Sequence, residues 1–214
     1  MKLQKYTISN GVKIAIQKEG RLKIPSLEFL ESLGLQFSKD NDRTLVVPCN
    51  NADVEILYVR HSDIPQYVQS GAADFAVVGG NVLYENNFKV RKVKKLNFGQ
   101  CSLVIAIPIT SPIQKIEELE GERIATSYPN SLRKFLQKQK INAAIIEIKG
   151  SVEVAPALGL VDAICDLTQT GNTLKENALK PIVTLFNSTA LLIESPFERK
   201  EKADFIEKFL TTML

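Results

Sequence analysis

Segments that read as strands alternate with segments that read as helices almost throughout the chain, and this rhythm limits the fold more than any single motif. "VKIAIQ" has the apolar character of a buried strand, and "SLEFLESLG" the spacing of an amphipathic helix closing at Gly34. "EILYVR" is a second strand. "SDIPQYVQSG" follows as a short helix, with Ser62 or Asp63 as N-cap, Pro65 in its first turn and Gly71 at its close. "ADFAVVGG" is a further buried strand that runs into glycines. After "KVKKLNFG" the order resumes with the strand "SLVIAIPI" and the helix "SPIQKIEELEG". Three more strand–helix pairs come next: "RIATS" with "NSLRKFLQKQ", "AAIIEIKG" with "SVEVAPALGL", and "AICDL" with "NTLKENAL". The apolar "IVTLFNSTALLIES" and the amphipathic "ERKEKADFIEKFLTTML" come last. Such alternation predicts an α/β architecture with mostly parallel sheets.

One sheet could hold all these strands, but two features favour two lobes. The charged stretch Lys89 to Lys95 separates two strand–helix series, and the apolar segment 181–194 offers a crossing back to the first lobe. The expected division is residues 1–95 with about 185–214 in one lobe and about 96–184 in the other, with a ligand site in a cleft between them. "KVRKVKK" alternates lysine or arginine with valine, which reads as a solvated strand edge before it reads as an anion patch.

Composition excludes several classes. Apolar residues make up 44% and charged ones 24%, ordinary for a soluble globular chain. The apolar runs "LVIAIPI" and "TALLI" are far short of a membrane span, and no basic leader precedes an apolar segment, so a cytoplasmic location with no membrane partner is expected. A net charge of +3, from scattered lysines, argues against a nucleic-acid partner. Cys49, Cys101 and Cys165 form no C-x-x-C pair and read as reduced, buried thiols, so no metal site of protein ligands is expected. His61 is the only histidine and no G-x-S-x-G accompanies it, which leaves it a surface residue.

"DLTQTGNTL", Asp166 to Leu174, crowds small hydrogen-bonding residues between a strand and a helix. In open parallel sheets ligands bind where strand ends meet helix starts. Gly171 allows a tight turn and a close backbone approach. Amides of Thr170 to Thr173 would face an anion, and the hydroxyls of Thr168, Thr170 and Thr173 add donors. Asp166 suits a sugar diol, which a carboxylate meets with two acceptor oxygens. A capped helix start would use many of the same residues. "QKEGRL" adds Lys18 and Arg21 around Gly20, "VRHSDIP" adds Arg60, and "VVGGN" offers Gly79 and Gly80 as bare backbone for a flat base. "GSVEVAP" sets Glu153 in the first turn of a helix.

Taken in order, "QKEGRL", "VRHSDIP", "LNFGQCSLVIA", "ERIATSYPNSL", "GSVEVAP" and "GLVDAICDLTQTGNTL" resemble the ATP phosphoribosyltransferase family, from about residue 12 to the last helix. That family catalyses the first step of histidine biosynthesis. It joins N1 of the adenine of ATP to C1 of phosphoribosyl pyrophosphate, releases pyrophosphate and needs Mg²⁺. The resemblance implies a two-lobed fold like a periplasmic binding protein of the second type, with the active site in the cleft. It implies that Thr168, Thr170, Gly171, Asn172 and Thr173 hold the phosphoribosyl group, with Asp166 and Glu153 beside the ribose. Lys18, Gly20, Arg21, Arg43, Arg60, Gly79 and Gly80 would form the ATP side, and Arg21, Arg60 and Asp166 would carry the catalysis. Charge builds on the leaving pyrophosphate and on an oxocarbenium-like ribose, so arginine, lysine and Mg²⁺ can supply most of the stabilisation. The adenine nitrogen is itself a nucleophile, and no general base is required.

A homo-oligomer is expected. The family has a long form, with an added domain that binds histidine, and a short form that works with a regulatory subunit resembling histidyl-tRNA synthetase. The length here matches the short form, while wording such as "ATSYPNSL" is similar to long-form members. Histidine sensitivity is expected to depend on a partner or a further domain. The competing reading is a non-catalytic, two-lobed binding protein for a small phosphorylated anion. A single-sheet phosphoribosyltransferase would usually show two adjacent acids before the turn, whereas Cys165 and Leu167 flank Asp166.

Overall fold

A computed structural model describes residues 11–38, 44–197 and 203–212. The first elements are β1 (Val12–Gln17), α1 (Lys23–Ser32), β2 (Val46–Pro48), β3 (Val54–Val59), α2 (Ile64–Gln69), β4 (Phe75–Gly79), α3 (Gly80–Glu85) and β5 (Arg91–Lys95). They are followed by β6 (Cys101–Pro108), β7 (Arg123–Thr126), α4 (Pro129–Gln139), β8 (Ala144–Glu147), β9 (Ala163–Thr168) and α5 (Asn172–Glu176). β10 (Leu179–Ser188), β11 (Ala190–Glu194) and α6 (Ala203–Thr212) complete the order.

The described residues fall into two compact units. The first takes them from Met1–Val82, Phe88–Gly99 and Ala190–Leu214, the second from Leu83–Asn87 and Gln100–Thr189. The return to the first unit lies later than about residue 185, because β10 stays in register with β6 as far as the pair Ser188 and Cys101. Leu83–Asn87 was assigned by sequence to the first lobe, whereas its contacts lie in the second unit.

The first unit holds a six-stranded sheet in the order β2-β3-β1-β4-β11-β5, and the second a five-stranded sheet in the order β10-β6-β9-β7-β8. The expectation of mostly parallel sheets is corrected: β1 with β3 and β4, and β7 with β8 and β9, are parallel, and the other pairings are antiparallel. The physical reason is connectivity. Parallel neighbours need a crossover, which the helices after β1, β3 and β7 supply, whereas β5, β6, β10 and β11 carry the chain between units without a helix of their own. β5 lies at the sheet edge with its lysines and arginine exposed, as the alternating charges predict.

Period-two burial builds the cores. Ile14, Ile16, Ile56, Phe75 and Val77 face Leu30 and Phe209 in the first unit. Leu103, Ile105 and Ile107 meet Leu132 and Leu136 of α4, while Val104 and Ala106 on the opposite face meet Val152, Leu174 and Leu179. Each such side chain removed from water stabilises the fold by about 1.5–3 kcal/mol. Cys101 and Cys165 are buried free thiols and Cys49 is half-buried. Of the apolar stripe read on the last helix, Phe209 packs on Phe75 at 5.1 Å between ring centroids. Phe205, Ile206, Leu210 and Met213 lie outside the residues whose side chains are described.

Two expected helices are single 3-10 turns, Ile116–Leu119 and Val152–Val154. The second stops because Pro156 has no N–H to extend the turn, and the Ala155 amide bonds the Val152 carbonyl three residues back. α3 and β2 were not anticipated. Gly80 was read as the end of a strand, but it opens a helix whose last residue has a clear task. Glu85 is 9% exposed, and its two carboxylate oxygens accept from the Asn130 and Ser131 amides at 2.7 and 2.9 Å. No side chain of α4's own N-cap residue does this. The neighbouring Tyr84 packs on Phe186 with centroids 4.7 Å apart. Removing these charge-assisted caps with Glu85→Ala should lower the stability of the second unit by roughly 1–3 kcal/mol, and Glu85→Gln should cost less because one acceptor is kept. Urea denaturation checks this; an unchanged midpoint for Glu85→Ala would deny the cap its role.

Candidate active site

In the first unit, parallel β3, β1 and β4 are neighbours, so the segments after their C-terminal ends share one edge of the sheet. Lys18, Gly20 and Arg21 follow β1, Arg60 follows β3, and Gly79 and Gly80 end β4 and begin α3. The Lys18 amide donates to the Val59 carbonyl at 2.9 Å, one step beyond the last β1–β3 pair, which sets Lys18 beside Arg60. Gln17 shapes the intervening loop: its amide nitrogen donates to the Glu19 carbonyl, and its Oε1 accepts from the Leu22 amide at 3.3 Å. Gly20 has φ +110°, and a Cβ there would collide with the Gln17 amide. The Glu19 side chain is 84% exposed and lies 3.8 Å from the Lys18 ammonium, turned to solvent.

The His61 imidazole is harder to protonate than usual, chiefly through partial desolvation, with the Arg21 charge adding to the effect and Asp63 opposing it. His61 is on the surface, as expected. The Arg60 carbonyl accepts the amides of Asp63 and Ile64 at 3.0 and 3.2 Å, which starts α2 and fixes the backbone from which the Arg60 side chain springs. Gly79 and Gly80, expected to offer bare backbone to a flat base, lie where β4 passes into α3. Both are buried, and the space over Gly79 is taken by the Asn81 amide and a Leu22 methyl. Arg43 lies outside the described residues.

In the second unit β9, β7 and β8 are parallel neighbours, and their ends gather Asp166–Thr173, Thr126–Tyr128 and Ile148–Glu153. Along β9, Ala163, Cys165 and Leu167 face α4, so Asp166 and Thr168 fall on the face that carries Ile164, Val152 and Leu174. This places Asp166 by Glu153. Burial is the main cause that lifts the Asp166 carboxyl to about 6; the Glu153 charge adds to it, and the Leu167 amide, 2.8 Å from Oδ1, works against it. The turn itself has Gly171 at φ +80°, and the Asn172 amide makes a long 3.4 Å bond to the Thr170 hydroxyl. α5 has five residues, so amides and hydroxyls rather than a helix dipole must meet an anion here. Thr168, Thr170, Gly171, Leu174, Lys175 and Leu179 line a cavity of about 340 Å³ over the turn.

Sequence reasoning missed Gln17, Thr126, Ser127, Lys175 and Glu85. Thr126 donates to the Cys165 carbonyl at 2.6 Å and accepts from the Tyr128 amide at 2.8 Å, and Ser127 donates to the Ile148 carbonyl at 2.7 Å. These bonds tie the three strand ends together. The signal was the short "ATSYPN" stretch, where small hydroxyls follow a strand. Among the described residues no cluster of three or more histidine, cysteine or acidic side chains could hold a metal, and no helix is long and apolar enough to cross a membrane.

Two α/β units of this kind are related to the periplasmic-binding-protein-like folds. The aliphatic sulphonate binding protein SsuA from Escherichia coli matches with a TM-score of 0.61 at 14% identity, over 94% of this chain and 70% of that one. At this identity the likeness speaks for the fold alone. The family model for HisG, ATP phosphoribosyltransferase, matches residues 60–214. The ATP phosphoribosyltransferase of Sulfurisphaera tokodaii is 41% identical over 204 residues, 94% of this chain and 72% of that relative; that of Cytophaga hutchinsonii is 41% identical over 203 residues, 95% and 71%. The ATP phosphoribosyl transferase (HisG:HisZ) complex from Thermotoga maritima matches with a TM-score of 0.77 at 30% identity, over 94% of this chain and 98% of that one. The chain belongs to the ATP phosphoribosyltransferase family.

A carboxyl held at about 6 against an ordinary 3.8 opposes folding once ionised; the penalty is absent below about pH 4 and complete above the folded value. Asp166→Asn should therefore raise the melting temperature at pH 8, with the gain shrinking toward pH 4. If ionised Asp166 accepts from the ribose hydroxyls, phosphoribosyl pyrophosphate affinity should fall as pH drops through about 6, and this step should vanish in Asp166→Asn. Calorimetric titration from pH 5 to 8 measures it, and the same step in both proteins would assign it to another group.

Proposed function

We propose how the residues of this chain divide the work of the family's reaction. The chain catalyses transfer of the phosphoribosyl group of phosphoribosyl pyrophosphate to ATP, the first step of histidine biosynthesis. The observation that carries our assignment is Asp166, its carboxyl raised by burial and by the nearby Glu153 charge, at the end of the strand that leads into the threonine–glycine turn. In this reading the 5-phosphate sits on the amides and hydroxyls of Thr168 and Thr170 to Thr173, and Asp166 accepts from the ribose hydroxyls. Lys18, Arg21 and Arg60 meet the pyrophosphate and triphosphate groups. The site takes the form of a cleft in a fold of the second periplasmic-binding type. Both substrates are polyanions, and bond breaking moves negative charge onto pyrophosphate while positive charge grows on the ribose. Fixed guanidinium groups favour that separation, and Asp166 favours the cationic ribose.

Mg²⁺ suits the donor set: it takes one or two carboxylates together with substrate phosphates, and Asp166 lies within reach of the Glu153 charge. When bound, it would neutralise phosphate charge. The reading extends to a homo-oligomer that works in the cytoplasm, in keeping with free cysteines, and to a regulatory partner subunit like the one in the Thermotoga maritima complex.

Pyrophosphate release with ATP and phosphoribosyl pyrophosphate, assayed with and without a candidate partner, is the direct test; binding of both without release would favour a receptor. Thr173→Ala should weaken phosphoribosyl pyrophosphate binding by about 1.5–3 kcal/mol. Gly171→Val should weaken it more, since a β-branched residue resists φ +80°. Parental affinity in both variants would remove the turn from the site. Arg21→Ala and Arg60→Ala should lower kcat more than they raise KM, with only partial rescue by lysine, because a point charge does not replace a bidentate fork. Unchanged kcat in both would return these arginines to the surface.

A further inference from the structure

The cavity over the turn poses a charge problem. A phosphate monoester carries about −1.5 to −2 charges near neutral pH, yet the turn offers only neutral amides and hydroxyls, and the five-residue α5 adds little dipole. Of the residues that line the cavity, only Lys175 is charged. Its amide donates to the Gly171 carbonyl at 3.1 Å, so the two residues stand four apart on one helical face. Side chains on a helix lean toward its N-terminus, which directs the Lys175 stem back over the turn. Nothing lies within 4 Å of where a Gly171 Cβ would be, so that path is open. Lys175 is exposed, and its ammonium has no hydrogen-bond or ion-pair partner among the described residues.

We propose that Lys175 supplies the positive charge for the 5-phosphate of phosphoribosyl pyrophosphate, an ionic contact that the threonine–glycine turn cannot make for itself. The proposal rests on the turn being the phosphate site. A long flexible ammonium suits the task, because its stem can reach back over the turn while the phosphate rests on the amides and hydroxyls. It is a binding contact and not a catalytic one, so it acts equally before and during transfer.

The test is calorimetric binding of ribose 5-phosphate, phosphoribosyl pyrophosphate and ATP to the full chain and to Lys175→Gln, Lys175→Glu, Lys175→Arg and Thr173→Ala. Lys175→Gln should weaken both sugar phosphates by about five- to tenfold, Lys175→Glu more, and Lys175→Arg by no more than about twofold, with ATP unaffected. The affinity of the parent for ribose 5-phosphate should also fall more steeply with added salt than that of Lys175→Gln. Parental affinity of Lys175→Glu alongside weakened Thr173→Ala would overturn the proposal and leave the turn as the phosphate site. Parental affinity of both would overturn the proposal together with the reading beneath it.

Discussion

The parallel pairing of β9 with β7 is the constraint on which the candidate site of the second unit depends. Parallel neighbours end on one edge, so a turn after β9 and a turn after β7 can face a common ligand; antiparallel neighbours would put them a strand length apart. Register matters as much as direction. A slip of one residue would exchange Asp166 for Cys165 or Leu167 on the face that carries Ile164 and Leu174, and bury the carboxylate against α4. The Thr126 hydroxyl fastens this register, since it reaches the Cys165 carbonyl across the pair while it holds its own chain through the Tyr128 amide. One side chain thus sets both strand ends.

Two carboxylates of the second unit illustrate how surroundings separate structure from chemistry. Glu85 is buried with each oxygen accepting an α4 amide, so its charge is met by the helix start it caps. Asp166 accepts from one amide only and faces a second carboxylate. It keeps spare acceptor capacity and a raised proton affinity, which set it apart from a carboxylate spent on the fold. The basic residues of the first unit show the same contrast. The Glu19 carboxylate, next to them in sequence, is directed to water by the Gln17 bracket, which leaves the edge cationic.

Most of the strand–helix order was legible because apolar periodicity survives in β1, β3, β4, β6 and β9, and the charged alternation of β5 announces an edge. The antiparallel share of the sheets was not legible, because strand direction depends on which unit a segment joins, and nothing local in "IVTLFNSTALLIES" reveals that. Pro156 marked a helix too short to form, yet the apolar spacing around it suggested one. The turn after β9 was legible as a turn, because threonine and aspartate offer hydroxyls and a carboxylate and Gly171 adopts the positive φ that a side chain resists. The Asn81 amide packed over Gly79 was not legible, since a glycine demanded by a packed asparagine looks the same in sequence as one left bare for a ligand. Gln17 and Glu85 act through where the fold delivers an ordinary polar side chain, which no spacing rule encodes.

The position of β11 bears on how the molecule is made. It lies between β4 and β5 in the first sheet, and Leu192 and Ile193 are fully buried there, yet it comes from residues 190–194. During synthesis the second unit has nearly all its residues in one run, from Gln100 to Thr189, with only Leu83–Asn87 from earlier. It can close as soon as β10 emerges. The first unit, begun earlier, must keep the inner edge of β4 unpaired until the ribosome has passed Glu194. The half of the protein synthesised first is therefore the half that finishes folding last, with an apolar strand edge exposed to other chains in the interval.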